Sequence, residues 1–275
     1  MKVLITGAGG QLGKALSSIL ENSIALSHDA LDLKNIHNIE DILDKYGFDT
    51  IINCAAMTNV DKCESDIGDA YYINSLSMKY ITNYCRKNDK YLIHVSTDYV
   101  FKGDKGNYTE NDIPYPVNYY GLSKLIGDNY ANSYENSLII RTSGVYGLKN
   151  NFPLYVINSL RNNKIVNAFD NYYSPINAKV LARSIIELLD NKPTGIINIS
   201  GRRMSRYEFA LKIAEEFNLD KQFIIKTDYK SVKFNAVRPY DSSLDNEKGK
   251  NILKLNFEDL EYNLNEFKNG MDNLI

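Results

Sequence analysis

The sequence predicts an α/β protein: a doubly wound parallel sheet followed by a smaller C-terminal region partly interwoven with it. Three observations carry this expectation. A short apolar run, Lys2-Val-Leu-Ile-Thr6, passes through Gly7-Ala-Gly-Gly-Gln-Leu-Gly13 into a helical pattern. Strand and helix patterns then alternate from residue 2 to about 145 with no long structureless interruption, as parallel strands joined by crossover helices require. From Asn150 the order changes, so the chain is read as residues 1–149 and 150–275.

The first strand, turn and helix form a phosphate cradle. Glycines at positions 7, 10 and 13 permit a tight turn, close approach of backbone to a pyrophosphate, and packing of helix on strand. The helix that follows, with Ala15, Leu16, Ile19 and Leu20 on one face, offers free N–H groups and a positive dipole end to the phosphates. Residues 1–149 are therefore expected to be a dinucleotide-binding domain of the Rossmann type. The second strand, Ser23 to Ser27, ends near His28, Asp29 and Asp32, where an acidic residue would accept ribose hydroxyls. No Arg stands there to welcome a 2′-phosphate and no clear repellent opposes one, so NADPH or NADH is expected, with a lean to NADPH.

A helix at 38–46 leads to strand Thr50–Cys54, which ends in Ala55-Ala56, small residues that leave room for a ligand over the sheet edge. A helix at 71–88, with Asn74 near its start, precedes the strand Tyr91–Ser96 and the run Thr97-Asp98-Tyr99-Val100-Phe101. Tyr120 and Lys124 then stand four apart, one turn of helix, so a phenol and an ammonium share one face. Tyr119 has Ser123 at its fourth position and lacks this partner. A phenol has a pKa of about 10, and a nearby positive charge lowers it toward proton exchange at neutral pH.

Strand Ser137–Arg141 and the turn Thr142-Ser-Gly-Val-Tyr-Gly147 close the alternating part. Beyond it a helix is expected at 152–163, a strand at 165–169, a helix at 177–190, a strand at 196–199 and a helix at 205–218. Turns are expected over 220–256 and a helix over 258–270.

Composition bounds the function. The 275 residues carry a net charge of −2 with no basic block, so neither nucleic acid nor membrane is an expected partner. Three cysteines, Cys54, Cys63 and Cys85, are too widely spaced for a metal or redox pair, and no metal site is expected. Met1-Lys2 runs directly into a strand, with no apolar stretch of signal or spanning length, and the cytoplasm is the expected location.

The glycine turn, Ser96-Thr97-Asp98-Tyr99-Val100-Phe101 and Tyr120-x-x-x-Lys124 together resemble the extended short-chain dehydrogenase/reductase superfamily and, within it, the dTDP-4-dehydrorhamnose reductases. Asn53-Cys-Ala-Ala-Met-Thr-Asn-Val-Asp-Lys-Cys-Glu64, Arg141-Thr-Ser-Gly-Val-Tyr146 with Asn150-Asn-Phe152, and Arg238-Pro239 with Asp241-Ser-Ser-Leu-Asp245 extend the resemblance over nearly the whole chain. It implies catalysis by Thr97, Tyr120 and Lys124. It implies a cofactor held by Gly7, Gly10, Gln11, Leu12 and Gly13, by Asp32 and Leu33, by Ala55, Ala56 and Asn74, and by Tyr120 and Lys124. A nucleotide-sugar substrate would meet Thr58, Val60, Thr97, Asp98, Tyr99, Tyr120, Asn151 and Arg238.

The implied activity is NAD(P)H-dependent reduction of the 4-keto group of a nucleotide-linked deoxysugar, in a monomer or homodimer. An epimerase or dehydratase on the same fold is an alternative, although Thr97-Asp98 is followed by Tyr99 and not by a second acidic residue. A regulatory subunit resembling that of methionine adenosyltransferase is another. Three departures bear on the substrate. Gly144 stands where the family has Trp, and the chain has no Trp; Tyr173 and Ile176 stand where the family has Gly and Thr.

Overall fold

The structure is a computed structural model that describes residues 1–272. β1 (Val3–Thr6) is buried along its length and feeds α1 (Gln11–Ile19), which buries Leu12, Ala15 and Leu16. β2 (Ile24–Leu26), α2 (Ile39–Leu43) and β3 (Thr50–Asn53) follow. Two short helices, α3 (Val60–Ser65) and α4 (Ile67–Tyr71), pass through a π-helical turn at Tyr72–Leu76 into α5 (Ser77–Lys87). β4 (Tyr91–Thr97), α6 (Tyr119–Asn132) and β5 (Ser137–Thr142) complete the alternation.

The later chain holds α7 (Phe152–Arg161), β6 (Val166–Phe169), β7 (Tyr172–Tyr173), α8 (Ala178–Asn191) and β8 (Gly195–Asn198). It continues with β9 (Met204–Ser205), α9 (Arg206–Glu216), β10 (Ile224–Thr227), α10 (Glu247–Ile252) and α11 (Leu260–Asp272). Ser205 opens α9 with a capping box, its side chain accepting from Glu208 N while the Glu208 carboxylate accepts from Ser205 N.

The main sheet runs β2-β1-β3-β4-β5-β8, every pairing parallel. Strand order reverses between β1 and β3, and the crevice outside the carboxyl ends of such strands is where open α/β sheets take ligands. Leu4, Ile51, Leu92 and Ile139 bury on one face, while Ile5, Ile52, Ile93 and Ile140 bury on the other. Successive side chains alternate across a strand, so near-continuous apolar runs are what a sheet covered on both faces needs. Each such burial contributes about 1.5–3 kcal/mol.

β8 brings the late chain back into this sheet beside β5, and Leu181 and Ile185 of α8 share a core with Leu16 of α1. A second core lies among α7, α9 and α11, where Val156, Phe209, Ile213 and Phe267 meet beside the β6–β10 pair.

Most expected elements stand within two or three residues of their predicted bounds. The exceptions are the short ones. The stretch 220–256, expected as turns, contains β10, whose pairing partner β6 is remote in sequence, and α10, whose six residues are too few for a helical period to show.

Candidate active site

α1 begins at Gly10 with no side chain capping its first turn and no acidic residue in it. Gly10, Gln11, Leu12 and Gly13 line a cavity of about 420 Å³. Gly7 has φ +65°, and a Cβ there would stand 2.6 Å from Ala55 N; one on Gly13 would stand 2.3 Å from Gly7 O. These two glycines let the turn close on the end of β3 and let α1 close on the turn. A Cβ on Gly10 would approach Gly7 O at 3.2 Å and nothing else within contact distance, so its other side is open. An uncapped helix start facing a cavity suits a pyrophosphate. Lys149, which the sequence reading missed, donates to Gly9 O and adds a cation beside the turn.

A smaller recess of about 180 Å³ adjoins, lined by Gly7, His28, Asp32, Leu33, Ala55 and Ala56. Two expected ligand residues stand elsewhere. Asn74 is buried and lines neither space; its amide bonds Met57 N and O and Ser123 Oγ, tying the loop after β3 to α6. Asn151 caps α7 through Leu154 N and donates to Gln11 Oε1 and Gly147 O, which puts it on the flank of the glycine turn and not on the cavity wall.

Thr97, Tyr120 and Lys124 line the same cavity as the glycines. Thr97 Oγ1 accepts from Tyr99 N at 3.2 Å and donates to Asp98 Oδ1 at 3.1 Å. Asp98 Oδ2 accepts from Ser143 Oγ at 2.7 Å and from Ser242 Oγ at 2.5 Å. Burial pushes the Asp98 carboxyl above its ordinary range, against the pull of these hydroxyls. Burial also pushes the Tyr120 phenol up, with the Thr97 hydrogen bond acting the other way. Lys124 Nζ donates to Val95 O at 2.8 Å and lies 3.3 Å from His94 Nε2. Desolvation brings its pKa down to about 8, opposed by Asp128 and Cys54. The amine is tied to β4, and burial is the largest influence on the Tyr120 phenol in this arrangement.

A buried polar chain stands behind the lysine. Thr6 Oγ1 donates to Asn53 Oδ1 at 2.5 Å, so the Asn53 amide nitrogen faces His94 Nδ1 at 3.1 Å. A ring nitrogen that accepts carries no proton, which places the His94 proton on Nε2, facing Asp128 Oδ1 at 3.5 Å, with the Lys124 amine 3.3 Å from the same nitrogen. Burial and the Lys124 charge hold His94 down to about 4. Burial would raise Asp128, but His94, Arg141 and Lys124 outweigh it and keep the carboxyl below its usual range. Asp128 follows Lys124 by one more helical turn, and His94 interrupts an apolar strand; those two signals mark the network in the sequence.

On the opposite wall, Thr58, Val60, Asp98 and Tyr99 line the cavity, joined by Asn171, Tyr173 and Arg206. Asn171 and Arg206 were missed. Arg206 also lines an adjoining recess of about 370 Å³ with Phe169, Tyr229, Phe234 and Arg238. Arg238 Nη2 is 2.6 Å from Asp61 Oδ2, and its Nη1 has no hydrogen-bond partner among the described residues. Two of the three family departures meet each other: a Cβ on Gly144 would stand 2.6 Å from the Tyr173 ring. The third, Ile176, lies fully buried in the main core and lines neither space, which corrects its expected place at the substrate.

Comparison with known proteins accords with this geometry. The family described as RmlD substrate binding domain matches residues 1–272. A dTDP-4-dehydrorhamnose reductase of Aggregatibacter actinomycetemcomitans is 32% identical over 268 residues, 89% of this chain and 90% of that protein. The crystal structure of a hypothetical dTDP-4-dehydrorhamnose reductase from Sulfolobus tokodaii is 48% identical with a TM-score of 0.88, covering 94% of this chain and 96% of that one. A dTDP-4-dehydrorhamnose reductase of Bacillus anthracis in complex with NADP is 29% identical with a TM-score of 0.91, over 97% and 98% of the two chains. A match that runs the length of the described structure, on a fold shared with solved reductases, establishes that the chain belongs to the dTDP-4-dehydrorhamnose reductase family and is an NAD(P)H-dependent oxidoreductase.

Proposed function

We propose that this chain reduces the 4-keto group of a nucleotide-linked 6-deoxy sugar, with dTDP-4-dehydro-L-rhamnose as substrate and dTDP-L-rhamnose as product. The observation that carries the reading is the single cavity that joins the start of α1 to Thr97, Tyr120 and Lys124 and reaches Tyr99 and Arg206 on its far side. Gly7, Gly10, Gln11, Leu12 and Gly13 hold the pyrophosphate, and Asp32, Leu33, Ala55 and Ala56 line the adenosine end. Residues 1–149 thus hold the dinucleotide and 150–275 mainly the sugar nucleotide.

When bound, the reduced nicotinamide supplies a hydride to the carbonyl carbon. Tyr120 donates the proton that the developing alkoxide takes up, a role worth about 10²–10⁴-fold in rate for a positioned acid. Thr97 has one hydroxyl proton, given to Asp98 in this structure, and turns it to the carbonyl oxygen. Lys124, held as a cation, donates to the ribose hydroxyls. Asp98 positions Thr97, and Arg238 meets the diphosphate with the guanidinium edge that Asp61 leaves free. The chain works in the cytoplasm as a monomer or homodimer. Following NADPH absorbance on addition of dTDP-4-dehydro-L-rhamnose tests the proposal; absence of stoichiometric oxidation with that or any other nucleotide 4-keto sugar overturns it.

A further inference from the structure

Gly144 has φ +52° and no side chain, and the ring of Tyr173, carried in by β7, lies against its backbone. A Cβ at position 144 would come within 2.6 Å of that ring, so the small residue and the large one are two halves of one arrangement. On the ring stands the guanidinium of Arg206, the first residue of α9, 4.4 Å from its centroid. Phe209 meets it edge-on with centroids 6.2 Å apart. A ring held by backbone, by a stacked cation and by an aromatic neighbour has little room to turn.

Its hydroxyl is nevertheless unused. Tyr173 is 4% exposed, and its Oη has no hydrogen-bond partner among the described residues. Asn171, two residues earlier and 5% exposed, is in the same condition at Oδ1. Both residues line the cavity that holds Tyr120 and Lys124. Buried polar atoms in folded proteins are nearly always paired, and two unpaired ones on one cavity wall, one of them on a ring held in place, mark the place of a ligand's polar groups. A phenol can donate or accept, whereas an amide oxygen accepts only. A sugar hydroxyl, which both donates and accepts, satisfies either.

We propose that Tyr173 and Asn171 read the ring hydroxyls of the sugar, with Arg206 as the positioning residue that holds the Tyr173 ring. This rests on the reductase reading above and assigns the sugar specificity of that site to residues of β7 and the turn before it. A site built to hydrogen-bond a hydroxyl discriminates strongly against an analogue that lacks it, because its own polar groups are then left unpaired.

The test is steady-state kinetics of wild type, Tyr173→Phe and Asn171→Leu with a nucleotide 4-keto sugar and its analogues lacking one ring hydroxyl. NADPH binding is titrated in parallel. Tyr173→Phe keeps the ring against Gly144 and under Arg206. It is expected to raise KM for the full sugar tenfold or more, to leave NADPH affinity within twofold, and to shrink the wild-type preference over one deoxy analogue by a similar factor. Arg206→Lys keeps the charge but loses the flat stack, and is expected to raise the same KM without restoring use of the analogue. Unchanged KM and unchanged discrimination in both Tyr173→Phe and Asn171→Leu, with native melting temperatures, overturn the assignment, the two groups then holding water only. Failure of wild type to turn over any 4-keto sugar is a separate result: it overturns the reductase reading, and this assignment with it.

Discussion

Lys124 Nζ lies 3.3 Å from His94 Nε2, and Asp128 Oδ1 lies 3.5 Å from the same nitrogen, so one neutral imidazole stands against both the amine that lines the cavity and the carboxylate that favours its charged form. The groups around the amine come from four elements. Cys54 lies just past β3, His94 is on β4, Asp128 is on α6 itself, and Arg141 on β5 approaches Asp128 Oδ2 at 3.6 Å.

This gives a pH prediction. Lys124 serves as a cation, and desolvation brings its pKa down to about 8, so kcat/KM is expected to fall as pH rises through about 8. Asp128 is what holds that pKa up against burial, and Asp128→Asn should move the alkaline limb to lower pH. Removing one partner of a buried pair also costs stability, about 3–5 kcal/mol, so the profile is measured below the variant's own melting temperature. An alkaline limb that stays in place in a folded Asp128→Asn protein would refute the linkage.

His94 gives a second pH prediction, read from stability and not from rate. Its folded pKa of about 4 lies below its ordinary value of about 6.5, so the unfolded chain binds the proton more readily. The stability this contributes is fully present above about pH 6.5 and is lost as pH falls toward 4. Urea unfolding midpoints should decline across that window in wild type and decline less in His94→Gln, whose amide does not titrate.

Tyr120→Phe is expected to bind NADPH normally and to lose roughly two or more orders of magnitude in kcat, since only the proton donor is removed. Fluorescence titration and single-turnover rates check the two halves. An unchanged rate would show that another group supplies the proton.

The glycines separate folding from binding. On Gly13 a Cβ would stand 2.3 Å from Gly7 O, a backbone atom with nowhere to go, so Gly13→Ala is expected to lower the melting temperature markedly, with a cost of about 1–3 kcal/mol or more. Gly10 has an open side toward the cavity. Gly10→Val should leave stability close to wild type and abolish dinucleotide binding, as thermal unfolding and NADPH titration on the same two proteins would show.

Arg238→Ala is expected to raise KM for the sugar nucleotide about tenfold, equivalent to about 1.4 kcal/mol, and to leave NADPH affinity unchanged. Asp61→Asn keeps the guanidinium but loosens its 2.6 Å anchor, and should raise KM less. Equal effects from the two variants would mean that Arg238 supports the segment around Ala236, whose N–H also reaches Asp61, and does not meet substrate.

The sequence revealed the glycine turn and the Tyr120–Lys124 pair because both obey local rules, a strand–turn–helix order and a four-residue helical step. It revealed the buried faces of the sheet for the same reason. Asn171 and Arg206 escaped, and Tyr173 was visible only as a departure without its neighbours, because their convergence depends on β7 lying beside β9, two strands of two residues each that leave no periodic trace. The bonds of Asn74 to Met57 were not legible, because burial inside the π-helical turn has no one-dimensional signature. Arg238 was visible as a cation, but its partner Asp61 lies 177 residues away in sequence.

Asp98 ties three stretches of chain into one knot: its own strand end, Ser143 after β5, and Ser242 far downstream. The stitching goes on around it, with Tyr108 N bonded to Ser243 O and Asn198 Nδ2 bonded to both Tyr108 O and Asp245 O. This governs how the molecule can be recombined. A chimera joined near residue 150, with everything after it taken from a relative, keeps Asp98 and Ser143 and exchanges Ser242, so the imported segment must itself bring a hydroxyl to Asp98. A smaller graft, such as the turn from Asn171 to Pro175, leaves Asp98, Ser143 and Ser242 native, but it must keep Ser174, whose N–H donates to Ser143 Oγ and whose Oγ accepts from Leu244 N.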